Sequence, residues 1–155
     1  MINLIGSYEV KADAKGRVMI PSGLRKQIQP ILNEGFILKR SVFQKCLELY
    51  PMSEWNKEAE SLSKLNRFVK ENNDFIRVFM AGVRSVDLDT TGRMQIPKDL
   101  VNYANISKNL VISSSINRME IWDKDTYEQV LNEPELDFGT LAEKVMGNKS
   151  HDDVK

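Results

Sequence analysis

The chain carries one short motif twice. Residues 13–21 read DAKGRVMIP, and residues 89–97, which lie 76 positions further on, read DTTGRMQIP. Beyond this motif, LELY at residues 47–50 aligns with MEIW at residues 119–122, an offset of 72 positions, so the copies differ in length by four residues. Several matches in one order with a single length difference predict an internal duplication, and hence two similar folding units in one chain.

Each copy predicts a strand, a tight turn, a return strand and a short helix. The Asp-x-x-Gly turn is favourable because aspartate accepts a hydrogen bond from the backbone two residues on, and glycine adopts a positive φ without strain. The proline after each return strand suits the first turn of a helix, where its missing N–H removes no bond. We assign the turn motif to Asp13, Gly16, Asp89, Gly92 and Arg93.

Alternation of polar and apolar residues between these turns predicts eight short strands. They are expected at residues 8–12, 17–20, 35–38 and 46–50 in the first copy, and at residues 86–88, 93–96, 110–112 and 119–122 in the second. Helical spacing and capping residues predict six helices. They are expected at residues 22–28, 53–65 (capped by Ser53), 73–81 (ended by Gly82), 98–103, 123–131 (capped by Asp123) and 138–146.

A unit of about 45 residues with four strands buries too little surface to be stable alone, so the two units must pack on each other. We therefore expect an α+β fold in which the two hairpins interleave within one chain. The expected organisation is a first unit at 1–52, a helical connector at 53–82, a second unit at 83–131, and a C-terminal helix with a disordered polar tail at 132–155.

The charges are unevenly placed along a chain that is neutral overall, with 22 basic and 22 acidic side chains. Residues 1–45 hold eight Lys and Arg against three acids, whereas residues 119–155 hold four against ten. The first segment can therefore meet a polyanion, although a basic-to-acidic contact between subunits is the alternative. We expect a cytoplasmic protein, because no apolar run nears the roughly 20 residues of a membrane span, no signal peptide is evident, and Cys46 is the single cysteine.

The sequence gives little support to an enzyme. His151 is the single histidine and lies in the polar tail, so a histidine-based triad or metal cluster is not expected. Cys46 lies in a strand pattern and is interpreted as a small buried apolar residue rather than a nucleophile. Asp13 and Asp89 could form a carboxylate pair, but each has an arginine four residues on and a role in its turn. We expect no metal and no cofactor.

The repeated Asp-x-x-x-Arg turn followed by Ile-Pro resembles the hairpin of the AbrB/SpoVT family of swapped-hairpin DNA-binding proteins. Two such units in one chain, with Tyr50-Pro51 and Trp55 closing the first, resemble the MraZ family in particular over residues 6–131. The resemblance implies AbrB-like swapped hairpins around a double-psi-like β-barrel core, and a nucleoid-associated regulator of the cell-division and cell-wall gene cluster. It further implies binding to short direct repeats in the chain's own promoter region by a ring of eight or twelve copies.

The residues of the first copy favour contact with double-stranded DNA. Its strand, turn and helix hold five cationic side chains. Such side chains suit DNA because arginine can bind guanine bidentately and lysine can bind phosphate. The predicted DNA-binding residues are Lys11, Lys15, Arg17, Arg25 and Lys26. The alternative for Arg17 is an ion pair with Asp13 that holds the turn. The matching positions of the second copy are mostly uncharged or acidic, so we expect it to be mainly architectural; they are Asp87, Thr91, Arg93, Val101 and Asn102.

Two other functions remain open on the same fold. An antitoxin-like module would bind a protein partner through the acidic C-terminal part, and an assembly or scaffold protein would bind no ligand at all. The apolar residues at 75–80 are either core or subunit contacts. A head-to-tail contact of the first unit with the second unit of the next copy closes a ring when the rotation permits.

Overall fold

We describe the protein from a computed structural model, which covers residues 2–147. The predicted disordered tail at 148–155, with His151, lies outside the described residues. The chain forms two compact units, Met1–Lys124 and Asp125–Lys155, which are described separately. None of the helices in the described part is long and apolar enough to cross a bilayer.

Eight strands and four helices belong wholly to the first unit. The strands are β1 (Ser7–Lys11), β2 (Arg17–Met19), β3 (Phe36–Arg40), β4 (Leu47–Pro51), β5 (Arg84–Val86), β6 (Arg93–Gln95), β7 (Asn109–Ser115) and β8 (Arg118–Asp123). The helices are α1 (Ser22–Ile28), followed by a 3-10 helix (Gln29–Glu34), then α2 (Met52–Ser63), α3 (Lys70–Met80) and α4 (Lys98–Tyr103).

The two repeats exchange their first strands. One antiparallel sheet has the order β1-β7-β8-β4-β3-β5, so β1 of the first repeat pairs with β7 of the second, and β5 of the second pairs with β3 of the first. A separate two-stranded ribbon pairs β2 with β6, the two return strands. Each repeat thus completes the sheet of the other, which confirms the expected α+β fold with interleaved hairpins.

The ribbon and the six-stranded sheet share one hydrophobic core. Val18 and Met94 face inward from the ribbon, and alternate residues of the sheet, such as Leu38, Leu49 and Ile112, are fully buried. The exchange makes this core common to both repeats, and each fully buried aliphatic side chain contributes about 1.5–3 kcal/mol. Unfolding one repeat therefore exposes the core of the other.

A smaller apolar cluster covers the opposite face of β3 and β4. Trp55 of α2 lies edge-on to Tyr50, with ring centroids 5.6 Å apart, and stacks on Phe79 of α3 at 6.1 Å. The Tyr-Pro-x-x-x-Trp segment therefore places a tryptophan one helical turn beyond the strand, where it anchors both connecting helices. Lys39 is buried beside this cluster, with its Nζ 3.8 Å from Glu48, and burial lowers the pKa of its ammonium group.

Several predicted boundaries and caps differ from the structure. Helix α2 begins at Met52, so Ser53 lies inside its first turn and caps nothing. Asp123 directly precedes α5, and its carboxylate accepts hydrogen bonds from the Ser107 amide and hydroxyl at 3.1 and 2.6 Å. Strand β5 lies two residues before its predicted position, since pairing with β3 selects its register. Gly82, with φ at +78°, follows the end of α3 as predicted.

The second unit contains α5, which begins at the unit boundary (Lys124–Leu131), and α6 (Phe138–Met146). Pro134 lies between the two helices, as the sequence predicts for a break. Asp137 caps α6 by accepting a hydrogen bond from the Thr140 amide at 3.2 Å. Every residue of α6 is exposed.

Candidate nucleic-acid interface

The first turn is organised by one carboxylate. Oδ1 of Asp13 accepts hydrogen bonds from the amides of Lys15 and Arg17, both at 2.9 Å, and Oδ2 accepts one from Arg17 Nε at 2.7 Å. Gly16 has φ at +79°, a conformation that costs other residues about 1–2 kcal/mol. The aspartate therefore ties the backbone of the turn and the arginine side chain to one point.

The second turn repeats this arrangement. Asp89 accepts hydrogen bonds from the amides of Thr91 and Arg93 at 2.9 Å and from Arg93 Nε at 3.1 Å. It also accepts one from the Thr91 hydroxyl at 2.7 Å, a bond that Lys15 cannot supply in the first turn. Gly92 has φ at +88°. Both carboxylates thus bind the backbone and the arginine of their own turn in the same way.

Backbone hydrogen bonds lower the pKa of both carboxyl groups below the ordinary value, and the side-chain bonds to arginine and threonine add to this effect. A lowered pKa in the folded state means that the ionised group stabilises the fold. That stabilisation is complete above the ordinary pKa of about 3.9 and is lost as the pH falls through the folded-state value.

We expect Asp13→Ala and Asp89→Ala each to melt at a lower temperature than the parent protein at pH 7, with the larger fall for Asp89→Ala because of its bond from Thr91. The differences should shrink as the pH is lowered through the folded-state pKa values, where the parent carboxylates are protonated too. Differential scanning fluorimetry across pH measures both effects, with Asp13→Asn and Asp89→Asn as variants that keep one acceptor. If Asp13→Ala lost DNA binding without any change in melting, its structural role would be refuted.

The two turns extend a single ribbon with one outward face. Arg17 lies opposite Gln95, and Met19 lies opposite Arg93, while the intervening Val18 and Met94 point into the core. Because side chains alternate along a strand, Arg17 and Arg93 project from the same face. Their side chains are 35 % and 38 % exposed, and the ion pair with aspartate uses Nε in each.

The terminal guanidinium nitrogens of both arginines make no hydrogen bond to any residue in the range 2–147. The aspartate thus holds each guanidinium in place and leaves its outer edge available. Two such edges on one ribbon are suited to planar acceptors such as phosphate oxygens or the O6 and N7 atoms of guanine.

Helix α1 brings its cations to the turn of the other repeat. Arg25 Nη1 donates a hydrogen bond to the Thr91 carbonyl at 2.9 Å, and the aliphatic part of Arg25 packs against Gly92. Arg25 Nε is buried there and has no hydrogen-bond partner in the described part of the chain. Lys26, the next residue, is exposed.

The predicted set of five cations is therefore divided between two turns. Lys15 and Arg17 lie at the first turn, whereas Arg25, which precedes Lys26 on α1, contacts the second. Lys11 is exposed at the end of β1. The next residue, Ala12, forms an isolated antiparallel β-bridge with Val18 of the first hairpin. Residues that are close in sequence are separated here because the hairpins are exchanged.

The sequence analysis missed Gln95. Its Nε2 donates a hydrogen bond to the Lys15 carbonyl at 2.6 Å, so the second repeat holds the first turn much as Arg25 holds the second. An exposed glutamine on a ribbon strand carries no local signal for this role, since its partner is 80 positions away in sequence. Each turn is consequently positioned by a side chain from the opposite repeat.

Cys46 takes no part in this surface, and the described residues hold no metal-binding cluster. Cys46 is fully buried, and burial raises the pKa of its thiol to about 12. Within residues 2–147, no three His, Cys, Asp or Glu side chains are grouped so that they could hold a metal ion. The exposed ribbon face instead presents arginine, lysine, glutamine and methionine side chains.

Comparison with known proteins relates both repeats to one family. The family model described as "MraZ protein, putative antitoxin-like" matches residues 4–78 and again residues 79–149. The transcriptional regulator MraZ of Christiangramia forsetii is 60 % identical over 154 residues, which is 99 % of each chain. Those of Flavobacterium psychrophilum and Bacteroides thetaiotaomicron are 56 % and 40 % identical, each over 99 % of this chain and 98 % of the relative.

Proposed function

This chain belongs to the MraZ family, and on that premise we propose that it is a transcriptional regulator that binds double-stranded DNA and not an enzyme. The observation that carries the proposal is the outward face of the β2–β6 ribbon, where Arg17 and Arg93 are each held by an aspartate with their outer edges exposed. The names of the full-length relatives support the same function.

We assign sequence readout to the ribbon and phosphate contacts to its surroundings. A two-stranded ribbon fits the major groove, and an arginine placed there can bind guanine bidentately. Lys15 and Arg17 are the proposed base-reading residues, while Lys11 and Lys26 are suited to phosphates as exposed point charges. Local placement of these cations explains how a neutral chain can bind a polyanion.

The regulatory setting is a finer part of the proposal. We propose that the protein acts in the cytoplasm, associated with the nucleoid, on the cell-division and cell-wall gene cluster. It would bind short direct repeats in its own promoter region as a ring of identical subunits. In such a ring, neighbouring subunits engage consecutive repeats, so that avidity compensates for a modest affinity at each site.

A gel-shift or fluorescence-anisotropy titration with the DNA upstream of the chain's own gene tests this function. We expect tight binding to that fragment and weak binding to a shuffled fragment of equal length and composition. Equal affinity for the two fragments would refute sequence-specific recognition. The absence of binding to either would refute the DNA-binding function itself.

The dependence of DNA affinity on salt should report which cations meet phosphates. The logarithm of the affinity falls with the logarithm of salt concentration by about 0.9 per phosphate neutralised. We expect Lys26→Ala to flatten this slope by about that amount, while Lys64→Ala, an exposed lysine on the connector, leaves it unchanged. Arg25 is a poor probe, because its removal also frees the Thr91 carbonyl.

Arg93→Ala in the same titration tests the separation of roles between the repeats. The charge pattern of the sequence predicts an unchanged slope, since the second repeat has lost most of its cations. The exposed edge of Arg93 on the shared ribbon face favours a flattening equal to that of Lys26→Ala, and this is the result we expect. An unchanged slope together with normal folding would restore the purely architectural role of the second repeat.

A second candidate is an antitoxin-like module that binds a protein partner. It is favoured by the acidic C-terminal segment, where residues 119–155 carry ten acids against four cations. This function, like a scaffold without ligand, predicts that replacing Lys15 and Arg17 changes no activity. The promoter titration therefore separates the DNA-binding function from both alternatives.

A further inference from the structure

An apolar groove lies between helix α3 and the β3–β4 loop. This α3 groove has a volume of about 300 Å³ and is lined mainly by Arg40, Val42, Phe75, Val78, Phe79 and Tyr103. Val78 is 67 % exposed, and Phe43, at the tip of the same loop, is 91 % exposed. The groove and the loop beside it therefore leave large apolar side chains exposed to water, where a partner could cover them.

The walls of the α3 groove are cationic. The guanidinium carbon of Arg40 lies 4.9 Å from the centre of the Tyr103 ring, and Lys45 Nζ lies 4.3 Å from the same ring. Lys39 Nζ lies 4.2 Å from the Phe79 ring, but this lysine is buried and pairs with Glu48. Arg40 and Lys45 therefore supply the accessible positive charge. Among the described residues, no acidic side chain lines this groove. It therefore suits an apolar segment that carries negative charge.

Helix α6 has the complementary properties. Phe138, Leu141, Val145 and Met146 recur at helical spacing on one side, and all four side chains are exposed. The segment 132–147 around them holds four acids and one lysine. One chain thus presents both an acidic apolar helix and a basic apolar groove.

We propose that α6 of one copy docks into the α3 groove of a second copy. The contact joins two unlike surfaces, so each subunit offers its α6 to one neighbour and its α3 groove to the other. Subunits then add head to tail until the ring closes. The complementary charges orient the helix, and the apolar stripe supplies the buried area. This inference rests on the ring proposed above and names the contact that builds it.

The molecular mass of the protein in solution, measured without DNA, tests the contact. We expect size-exclusion chromatography with light scattering to show an oligomer for the parent chain, and Leu141→Asp and Val78→Asp to reduce the mass towards the 17.8 kDa of one chain. Ile5→Asp, at a residue that is 69 % exposed outside both surfaces, should keep the oligomer. A monomeric parent protein, or oligomers in both groove and helix variants, would overturn the proposal.

Cysteine cross-linking locates the contact even where a charged variant fails to fold. Cys46 is buried, so Val78→Cys and Leu141→Cys introduce the reactive thiols. Mixing the two single variants under mild oxidation should produce a disulfide-linked heterodimer, and the double variant should produce a ladder of covalent oligomers. A disulfide within one chain, or none, would refute docking between copies. Promoter binding measured on the same samples shows separately whether the DNA-binding function stands.

Discussion

Replacing both Lys15 and Arg17 by alanine is expected to abolish specific DNA binding while the fold and the oligomer persist. Loss of one bidentate base contact costs about 1–3 kcal/mol, which weakens binding about 5- to 150-fold at each site. Because a ring would use several such sites together, the losses multiply along the operator. Titration of the promoter fragment measures this effect, and the melting temperature reports on the fold.

The fold should survive because the turn retains its main support. Asp13 still accepts hydrogen bonds from the backbone amides at positions 15 and 17, and Gln95 still binds the carbonyl of residue 15. A matched control replaces two exposed lysines of the connector by alanine (Lys64→Ala with Lys70→Ala) and should bind DNA almost normally. An unchanged affinity in the Lys15 and Arg17 double variant would refute the ribbon as the DNA-binding surface.

The largest effect on stability is expected for Gly92→Ala. The glycine has φ at +88°, and a Cβ atom there would lie 2.4 Å from Cδ of Arg25. The left-handed backbone costs about 1–2 kcal/mol in alanine, and forcing Arg25 aside adds about 1–3 kcal/mol. Since 1 kcal/mol shifts the melting of a chain of this size by about 2–4 °C, the summed cost of about 2–5 kcal/mol corresponds to a fall of roughly 4–20 °C.

The equivalent change in the first repeat provides the control. In Gly16→Ala, the nearest atom to the new Cβ would be Gln95 Nε2 at 3.2 Å, which is the end of a flexible side chain. This variant should bear only the backbone cost of about 1–2 kcal/mol. Adding Arg25→Ala to Gly92→Ala should recover part of the lost stability, because it removes the obstructing side chain. Equal melting of the two glycine variants, with no recovery in the double variant, would refute the role given to Arg25.

Local sequence patterns predicted much of this structure correctly. The duplication and its turn residues established two similar hairpins, because turn chemistry depends on neighbouring residues alone. Helices α1, α4 and α6 begin and end where the spacing of apolar residues and the flanking prolines predicted. The same reasoning misplaced β5, because its register depends on pairing with β3, which is remote in sequence. It also placed a cap at Ser53, whereas α2 begins at Met52.

Local patterns could not predict which strands of the two repeats pair with each other. A strand's partner is chosen by which apolar faces bury together, and nothing in residues 7–28 specifies that β1 lies beside β7 or that α1 lies beside the second turn. For this reason Arg17 and Arg25, only eight positions apart in sequence, lie at different turns. The same exchange places Arg93 on the face of Arg17, and makes Arg25 and Gln95 supports for the turns of the opposite repeats.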